Sequence, residues 1–138
     1  MHFVYEHRVR YRECDPMGVV YHAHYLDYFE YARTEALRTL GITYRELEER
    51  GIIMPVVEAT VRYLRPAYYD DVLAIHTMFE SMPRVKVPIR YEVRRKGGNR
   101  LLTTGKVVLC FVDRRRNRPI PAPPEVVACF EKMEQNKR

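Results

Sequence analysis

The sequence predicts an α+β domain in which an antiparallel sheet of about five strands lies against a single long helix. Three observations lead to this prediction. Apolar residues occupy every second position near the N-terminus, recur at spacings of three and four over residues 22–40, and alternate again through most of the chain from residue 56 onward. A sheet with one apolar face needs a cover, and only residues 22–40 form a long segment with a helical apolar stripe. We therefore expect this helix to pack across a curled sheet.

Length and composition set the broad class of the protein. The 138 residues include 24 Lys and Arg against 18 Asp and Glu, a formal charge of +6, and 46% are hydrophobic. These values are typical of one folded domain spanning 1–138. The longest apolar run, residues 107–112, is far shorter than the roughly 20 residues of a membrane span, and the N-terminus lacks a signal-peptide pattern. Three cysteines without a CxxC spacing argue against a disulfide framework or a structural zinc site. We expect a cytoplasmic protein.

The first element is a predicted strand over residues 3–12. Ring-bearing and β-branched residues occupy its odd positions, and charged residues occupy most of its even ones. The strand is followed by Asp15-Pro16-Met17-Gly18, whose residue types favour a type I turn. Pro16 also biases Asp15 toward an extended backbone. The Asp15 carboxylate is therefore expected at a rigid turn just before a helix.

That helix is predicted over residues 22–40, with Gly41 as its stop signal. Its inward stripe is predicted to consist of Leu26, Phe29, Ala32, Arg33, Ala36, Leu37 and Leu40. No Ser, Thr, Asp or Asn lies among residues 19–22 to cap its start. The backbone amides near residues 21–24 are therefore expected to lack side-chain acceptors, and such amides bind oxyanions and polarised carbonyls. Thr43-x-x-Glu46 is a capping box that predicts a short second helix.

The remaining elements are mostly strands. Gly97-Gly98-Asn99 favours a hairpin turn, the arginine-rich residues 114–119 are expected to end the sheet, and residues 125–135 are a predicted C-terminal helix. Alternation predicts the strands themselves at residues 61–63, 73–79, 85–93 and 101–112. With the N-terminal strand, these segments make up the predicted antiparallel sheet.

A candidate site lies where the first strand meets the long helix. The carboxylate of Asp15, the amides of the uncapped helix start and the imidazole of His22 fall within eight residues. A carboxylate beside a carbonyl-polarising dipole could hydrolyse an activated acyl group, because the thiolate of a thioester leaves easily. A serine esterase is excluded, since the chain has no G-x-S-x-G and its only serine is Ser81. Taken alone, however, Asp15 in Asp-Pro-x-Gly is simply a turn former.

Residues 11–25 and 28–33, together with the pattern Val61-x-Tyr63-x-x-Pro66-Ala67-x-x-Asp70-Asp71, resemble the 4-hydroxybenzoyl-CoA thioesterase family in its YbgC-like acyl-CoA thioesterase branch. The resemblance covers most of the chain. It implies the hotdog fold, in which an antiparallel sheet wraps around one long helix, and it implies hydrolysis of acyl-CoA to free acid and CoA. It implies no metal or other cofactor. It also implies a homodimer or homotetramer, with sites at the subunit boundary.

The resemblance also implies roles for individual residues. Asp15 corresponds to the essential carboxylate, acting as nucleophile or as general base. His22 corresponds to a site histidine whose backbone amide polarises the thioester carbonyl, and Tyr11 to a tyrosine near the carboxylate. Arg84 and Lys86 fall near the basic cluster that holds the CoA phosphates, although here they do not form a continuous basic run.

Several alternatives remain open at this stage. The substrate carrier could be acyl carrier protein instead of CoA, or the domain could bind acyl groups without catalysis. Glu58 could be a second site carboxylate that contacts substrate, or an ordinary edge glutamate. Cys14 could be a nucleophile, and His22 with His24 could bind a metal, although neither has evident partners. The basic clusters at residues 94–96 and 114–116 are expected to be solvated ends of strands, and we expect no nucleic-acid binding.

Overall fold

The computed structural model describes residues 1–136, so residues 137 and 138 of the predicted domain lie outside the described part. In chain order the elements are β1 (His2–Arg8), a 3₁₀ turn (Tyr11–Glu13), α1 (His24–Leu40), α2 (Tyr44–Glu49), β2 (Ile52–Ile53), β3 (Val56–Tyr63), β4 (Val72–Phe79), β5 (Lys86–Arg95), β6 (Leu101–Cys110), β7 (Val112–Asp113), β8 (Arg118–Pro119) and α3 (Pro124–Gln135). The predicted α+β class is confirmed. Among the described helices, none has the length and apolar character needed to cross a membrane.

The main sheet has five strands in the order β1-β4-β5-β6-β3, and all neighbouring pairs are antiparallel. Every second residue of β4 is buried, from Leu73 to Phe79, and β5 shows the same alternation as far as Val93. These strands therefore bury one face, as their sequence pattern predicts. The edge strand β3 differs, because seven of its eight residues are exposed.

α1 packs on the buried face of the sheet and stops at Gly41, as predicted. The prediction was wrong about Leu26, which is exposed. α1 begins at His24 instead of residue 22, because the His24 N–H donates to the Tyr21 carbonyl oxygen in a preceding turn (3.0 Å). The buried residues of α1 are Tyr25, Tyr28, Phe29, Ala32, Arg33, Ala36, Leu37 and Leu40.

α1 and the sheet come into close contact where Phe29 lies over Gly105 of β6. A Cβ atom on residue 105 would lie closer than 3.0 Å to the Phe29 ring, which no real packing permits. The Phe29 ring also stacks on Tyr91, the register partner of Gly105 on β5, with centroids 4.3 Å apart and planes inclined by 12°. The absence of a side chain at Gly105 therefore allows the helix to sit on the sheet.

Three further features of the fold differ from the predictions. β1 ends at Arg8, and the 3₁₀ turn that follows carries Tyr11 out of the strand. The predicted strand over residues 101–112 ends at Cys110. The arginine-rich segment does not merely end the sheet, because Arg118–Pro119 pairs with β7, and β7 pairs with β2, in a small separate sheet. Two-residue strands carry too little alternation to be recognised in a sequence.

Candidate active site

Asp15 occupies the turn that its sequence predicts. The Gly18 N–H donates to the Asp15 carbonyl oxygen (2.9 Å), which closes the turn, and Gly18 has a φ of +83°, a conformation that favours glycine. The Asp15 carboxylate accepts hydrogen bonds through Oδ1 from the N–H groups of Met17 (2.9 Å) and Val19 (3.4 Å). These contacts hold the carboxylate in one orientation at the turn.

The Asp15 turn is the tip of a short hairpin that neighbouring segments hold on both sides. The Tyr21 N–H donates to the Glu13 carbonyl oxygen (2.8 Å) and the Asp15 N–H to that of Val19 (2.9 Å). The Val20 N–H donates to the carbonyl oxygen of Ala67 (2.9 Å), which belongs to the β3–β4 connection. The Pro-Ala-x-x-Asp-Asp segment of the sequence therefore acts here as a support for the Asp15 hairpin.

The start of α1 lacks a side-chain cap, as predicted. Its amides are only partly free. The Tyr21 and His24 N–H groups donate to backbone carbonyls, whereas for His22 and Ala23 no N–H acceptor is present within residues 1–136. A helix N-terminus carries about half a positive charge, and N–H groups without acceptors there can donate hydrogen bonds to an oxyanion. Of the amides at residues 21–24, which were predicted to be available to an oxyanion, only those of His22 and Ala23 therefore remain.

A cavity of about 360 Å³ adjoins the hairpin and the helix start. This volume is near the lower end of the range for small-molecule sites. The residues lining it come from two chain segments: Asp15, Met17, Val19, Val20, His22 and Tyr25 from the first, and Tyr63, Leu64, Arg65 and Pro66 from the second. The structure therefore brings Asp15 and His22 to one cavity, as their sequence positions predict.

His22 and Tyr63 shape one wall of this cavity. The Tyr63 hydroxyl donates to the His22 carbonyl oxygen (2.9 Å), and the two rings meet edge to face with centroids 6.1 Å apart. The Tyr63 ring also meets that of the buried Tyr25, with centroids 5.6 Å apart. Tyr63 therefore ties the end of β3 to the first turn of the helix. Tyr25, Tyr63 and Arg65 were not predicted to line a site, because the end of β3 and the hairpin meet only in the folded chain.

Tyr11 is not among the residues of the described chain that line this cavity. Its side chain is 76% exposed and stacks on Tyr69, with centroids 3.7 Å apart. The 3₁₀ turn accounts for this placement, since it carries Tyr11 away from the inward positions of β1. A role for Tyr11 in the site stays a prediction.

Arg84, Lys86 and Glu58 lie away from the cavity within a single chain. Tyr63 is in register with Thr103, which pairs with Val93 at the cavity end of β5. Lys86 is at the other end of β5, seven positions from Val93, which is about 24 Å along a strand.

Glu58 is on β3 itself but on its other face. Val61 pairs with Gly105, which faces α1, so the even-numbered Glu58 faces away from the helix. One copy of the chain thus does not bring these three residues to Asp15.

Glu13 is a buried carboxylate that the sequence pattern does not single out. It is 4% exposed and accepts hydrogen bonds from His7 (2.9 Å), the Arg10 N–H (2.8 Å) and the Tyr28 hydroxyl (3.0 Å). Burial alone would raise the pKa of Glu13, but these donors outweigh it and hold the pKa below its ordinary value. Burial and the Glu13 charge raise the pKa of Tyr28, so its hydroxyl stays protonated as a donor. Glu13 therefore anchors the base of the Asp15 hairpin as a carboxylate.

Glu13→Gln is expected to lower the free energy of unfolding at pH 7 by about 1–2 kcal/mol, since a neutral amide accepts hydrogen bonds less strongly. The pKa of Glu13 in the folded state lies below its ordinary value of 4.5. Its contribution is therefore complete above that value and is lost as the pH falls through the lower folded pKa. Urea unfolding from pH 7 down to about pH 3 measures this, and the loss of stability in acid should be shallower in the variant.

Glu6→Gln is the matched control, because Glu6 lies on β1, the strand before the 3₁₀ turn of Glu13, but is exposed and paired with Lys96 (3.1 Å). We expect its effect to stay within about 0.5 kcal/mol. If the two variants had equal stability and equal acid profiles, the anchoring role of Glu13 would be wrong.

The surroundings of Cys14 and His24 do not favour the alternative roles of nucleophile and metal ligand. Burial, together with the carboxylates of Glu13, Asp15 and Asp71, raises the pKa of the Cys14 thiol, which opposes formation of the thiolate that a nucleophile needs. His24 contacts Asp27 one turn along α1 (3.0 Å), so its ring is paired on the helix surface. Within residues 1–136, neither Cys14 nor His24 lines the cavity.

Known proteins resemble this chain in sequence and in structure. Residues 9–130 match the family model of the thioesterase-like superfamily (4HBT_2). Acyl-CoA thioesterase YbgC of Haemophilus influenzae is 37% identical over 133 residues, which cover 95% of this chain and 96% of that protein. Acyl-CoA thioester hydrolase YbgC of Escherichia coli is 35% identical over 124 residues, covering 90% of this chain and 92% of that protein.

Solved structures show the same architecture. DHNA-CoA thioesterase from Staphylococcus aureus superposes with a TM-score of 0.89 at 30% identity, covering 99% of this chain and 93% of that one. An aspartate-to-asparagine variant of 4-hydroxybenzoyl-CoA thioesterase, in complex with 4-hydroxybenzoyl-CoA, superposes with a TM-score of 0.82 at 26% identity, covering 93% of this chain and 97% of that one. The expected hotdog fold is confirmed, and so is the family resemblance read from the sequence. The chain therefore belongs to the thioesterase-like superfamily.

Proposed function

We propose that this protein hydrolyses acyl-CoA thioesters to the free acid and CoA. One observation carries the proposal: Asp15 and the uncapped start of α1 line a single cavity. The relatives named as acyl-CoA thioesterases support it, because each is at least 35% identical to this chain over nearly its whole length. So does the thioester complex of the aspartate-to-asparagine variant described above.

The proposed chemistry needs only these groups and water. A thioester carbonyl in the cavity directs its oxygen at the N–H groups of His22 and Ala23, whose partial positive charge stabilises the developing oxyanion. Asp15 either attacks the carbonyl carbon, forming a mixed anhydride that water then opens, or removes a proton from the attacking water. In both routes the C–S bond breaks, a C–O bond forms, and the products are a carboxylate, the CoA thiol and one proton.

In this scheme the His22 N–H donates a hydrogen bond to the oxyanion, and the His22 residue forms part of the cavity wall. The hydrogen bond from Tyr63 to the His22 carbonyl oxygen fixes the peptide plane that carries the Ala23 N–H. The His24 N–H donates to the Tyr21 carbonyl oxygen, which fixes the plane that carries the His22 N–H. The side chains of His22 and Tyr11 are proposed to orient the substrate, Tyr11 from outside the cavity and beside Tyr69. No metal or redox cofactor takes part in these steps.

CoA is the carrier that we favour over acyl carrier protein, because the relatives are named for CoA esters. The test is release of free thiol from a panel of short, long and aromatic acyl-CoAs, compared with the same acyl groups on acyl carrier protein. Binding without turnover would instead indicate a non-catalytic acyl-binding module. Steep salt-dependent binding to DNA or RNA without thioester hydrolysis would contradict the enzyme assignment.

Edge strand β3 supports a second proposal, that two copies pair to form the active species. β3 offers a free edge with backbone groups that no other strand of the described chain pairs. Apolar side chains beside it are half exposed, among them Val57 at 53% and Leu64 at 54%. A second copy that pairs antiparallel along β3 would satisfy the edge and cover these side chains.

Such pairing also explains where Arg84 and Lys86 can act. In an antiparallel β3–β3 pair, the Val56 end of one strand lies beside the Tyr63 end of the other. Lys86 pairs with Cys110 on β6, and Val56 pairs with the adjacent residue Leu109. Lys86 and Val56 therefore lie at the same end of the sheet. From β5 of the second copy, through its β6 and β3, to β3 of the first copy is three strand spacings, or about 14 Å. This is the distance between the Lys86 backbone of the second copy and the Tyr63 end of β3 that lines the first cavity. Basic residues of one copy thus come within reach of a CoA molecule in the other.

We expect sedimentation to show a mass of twice 16.5 kDa or a higher even multiple. Dilution to the point where the mass falls should lower specific activity in parallel, because the basic residues then leave the CoA. A protein of 16.5 kDa with undiminished activity would contradict this proposal.

A further inference from the structure

Arg65 is a charged residue of the cavity wall that the scheme above does not use. It follows β3 directly and lines the same cavity as Asp15. Within the described chain its side chain has neither an ion pair nor a hydrogen bond, although it is one of only two lining residues with a permanent charge. By contrast, Arg95 nearby is bound to Asp71 (3.1 Å) and to the Pro66 carbonyl oxygen (3.4 Å).

The backbone at Arg65 is held in place. Its N–H donates to the Leu102 carbonyl oxygen on β6 (3.0 Å), and so does the N–H of Leu64 (2.9 Å). Pro66 follows, which disfavours a helical backbone at Arg65. The Pro66 carbonyl oxygen in turn accepts from Arg95. The stem of the Arg65 side chain therefore starts from a fixed position beside the cavity.

Distance decides which part of a thioester such a cation can meet. A cavity of about 360 Å³ would be about 9 Å across if it were spherical, so a group inside it lies within about that distance of Asp15. The pantetheine arm between the thioester sulfur and the first phosphorus spans on the order of 15 Å when extended, at about 1.1–1.2 Å of advance per bond. With the thioester at Asp15 and the pantetheine arm extended, the phosphates of CoA lie beyond the cavity that Arg65 lines.

Charge points to the acyl group. The part of pantetheine near the sulfur is neutral and does not call for a cation. An anionic substituent on the acyl group would be repelled by the Asp15 carboxylate and needs a compensating charge in the same cavity. The planar guanidinium of arginine binds a carboxylate through two parallel hydrogen bonds.

We propose that Arg65 is a specificity-determining residue that selects thioesters whose acyl group carries a second carboxylate. This inference rests on the proposed hydrolysis and names its substrate class, the mono-thioesters of short dicarboxylic acids. The guanidinium pairs with the distal carboxylate, while the thioester carbonyl remains at the His22 and Ala23 amides. The aromatic wall formed by Tyr25 and Tyr63 packs against the methylene groups that join the distal carboxylate to the thioester carbonyl.

The test compares succinyl-CoA with butyryl-CoA, which have the same number of acyl carbons and differ in the terminal carboxylate. We expect wild type to favour the succinyl ester, and Arg65→Gln to lower the ratio of their kcat/KM values by about 10- to 100-fold, the range for hydrogen bonds to a charged group. Arg62→Gln is the matched control. It removes the same charge three residues earlier, but the register with Thr104 places it on the sheet face away from α1. This control should leave the ratio unchanged within about twofold.

The same pair of acyl groups on N-acetylcysteamine, which has no phosphate, separates the two sources of negative charge. If Arg65 binds the acyl carboxylate, the ratio falls for these esters as well. An equal loss for both acyl groups on CoA, with no loss on N-acetylcysteamine, would place Arg65 on a phosphate and overturn the proposal. An unchanged ratio would overturn it too.

Binding in an Asp15→Asn background keeps this question separate from hydrolysis. Calorimetry should show that succinyl-CoA loses affinity by about 10-fold or more on Arg65→Gln, whereas butyryl-CoA does not show this loss. A preference in binding without any turnover by wild type would refute the proposed function and leave the role of Arg65 intact. Turnover of both esters without a preference would refute the role of Arg65 alone.

Discussion

Asp15→Asn is expected to lower acyl-CoA hydrolysis by about 10²- to 10⁴-fold, the range that a positioned acid–base group contributes. The amide can neither attack the carbonyl carbon effectively nor accept a proton from water at neutral pH. It keeps an oxygen that can accept from the Met17 and Val19 N–H groups, so the turn should persist. Free-thiol release measures the activity, and thermal unfolding shows whether the fold is retained.

Asp70→Asn is the matched control for this variant. Asp70 is exposed, pairs with Arg8 (3.3 Å) and has a φ of +70°, a conformation that asparagine also adopts. It loses the same charge near the same end of the sheet, and its activity should stay within about twofold of wild type. Near-normal turnover by Asp15→Asn would show that the carboxylate is not the reactive group.

The second large effect is expected at Gly105, where substitution with alanine should destabilise the fold by about 2–3 kcal/mol. The added methyl group would overlap the Phe29 ring, and that ring cannot retreat because it is stacked on Tyr91. The helix would have to lift from the sheet. Chemical denaturation at pH 7 gives the change in unfolding free energy.

A double-mutant cycle isolates the cause. Phe29→Leu removes the ring that the new methyl group meets, so the combined variant should be more stable than the sum of the two single changes predicts. Thr104→Ala, next in sequence on the outer face of β6, should cost much less. Strict additivity of Gly105→Ala and Phe29→Leu would mean that the contact between helix and sheet is not the reason for the glycine.

The fold was largely predictable because its periodicities are long. β4 and β5 alternate over four inward residues each, and α1 carries its stripe through four turns. The prediction was wrong where the periodicity is brief or interrupted: at the 3₁₀ turn that displaces Tyr11, at the first turn of α1, and in the two-residue strands of the small sheet.

The candidate site was predictable only in its local part. Asp15 and His22 lie close in sequence, so residue chemistry and turn preference place them together. Glu13, Tyr63 and Arg65 depend on contacts across the fold: Glu13 with Tyr28 and His7, Tyr63 with the His22 backbone, and Arg65 with the cavity. A single sequence contains no record of such contacts, and a glutamate beside a turn has the pattern of an ordinary surface residue.

The division of the cavity wall between two short segments has an evolutionary consequence. Residues 64–66 follow Tyr63, the last residue of β3 to pair in the sheet, and both Leu64 and Arg65 are exposed. If Arg65 meets the acyl group as proposed, replacing these side chains would alter the acyl end of the pocket without disturbing the buried layer between α1 and the strands. After gene duplication, new substrate preferences could therefore arise by single replacements in this segment, while the Asp15 hairpin and the chemistry proposed for it are inherited unchanged.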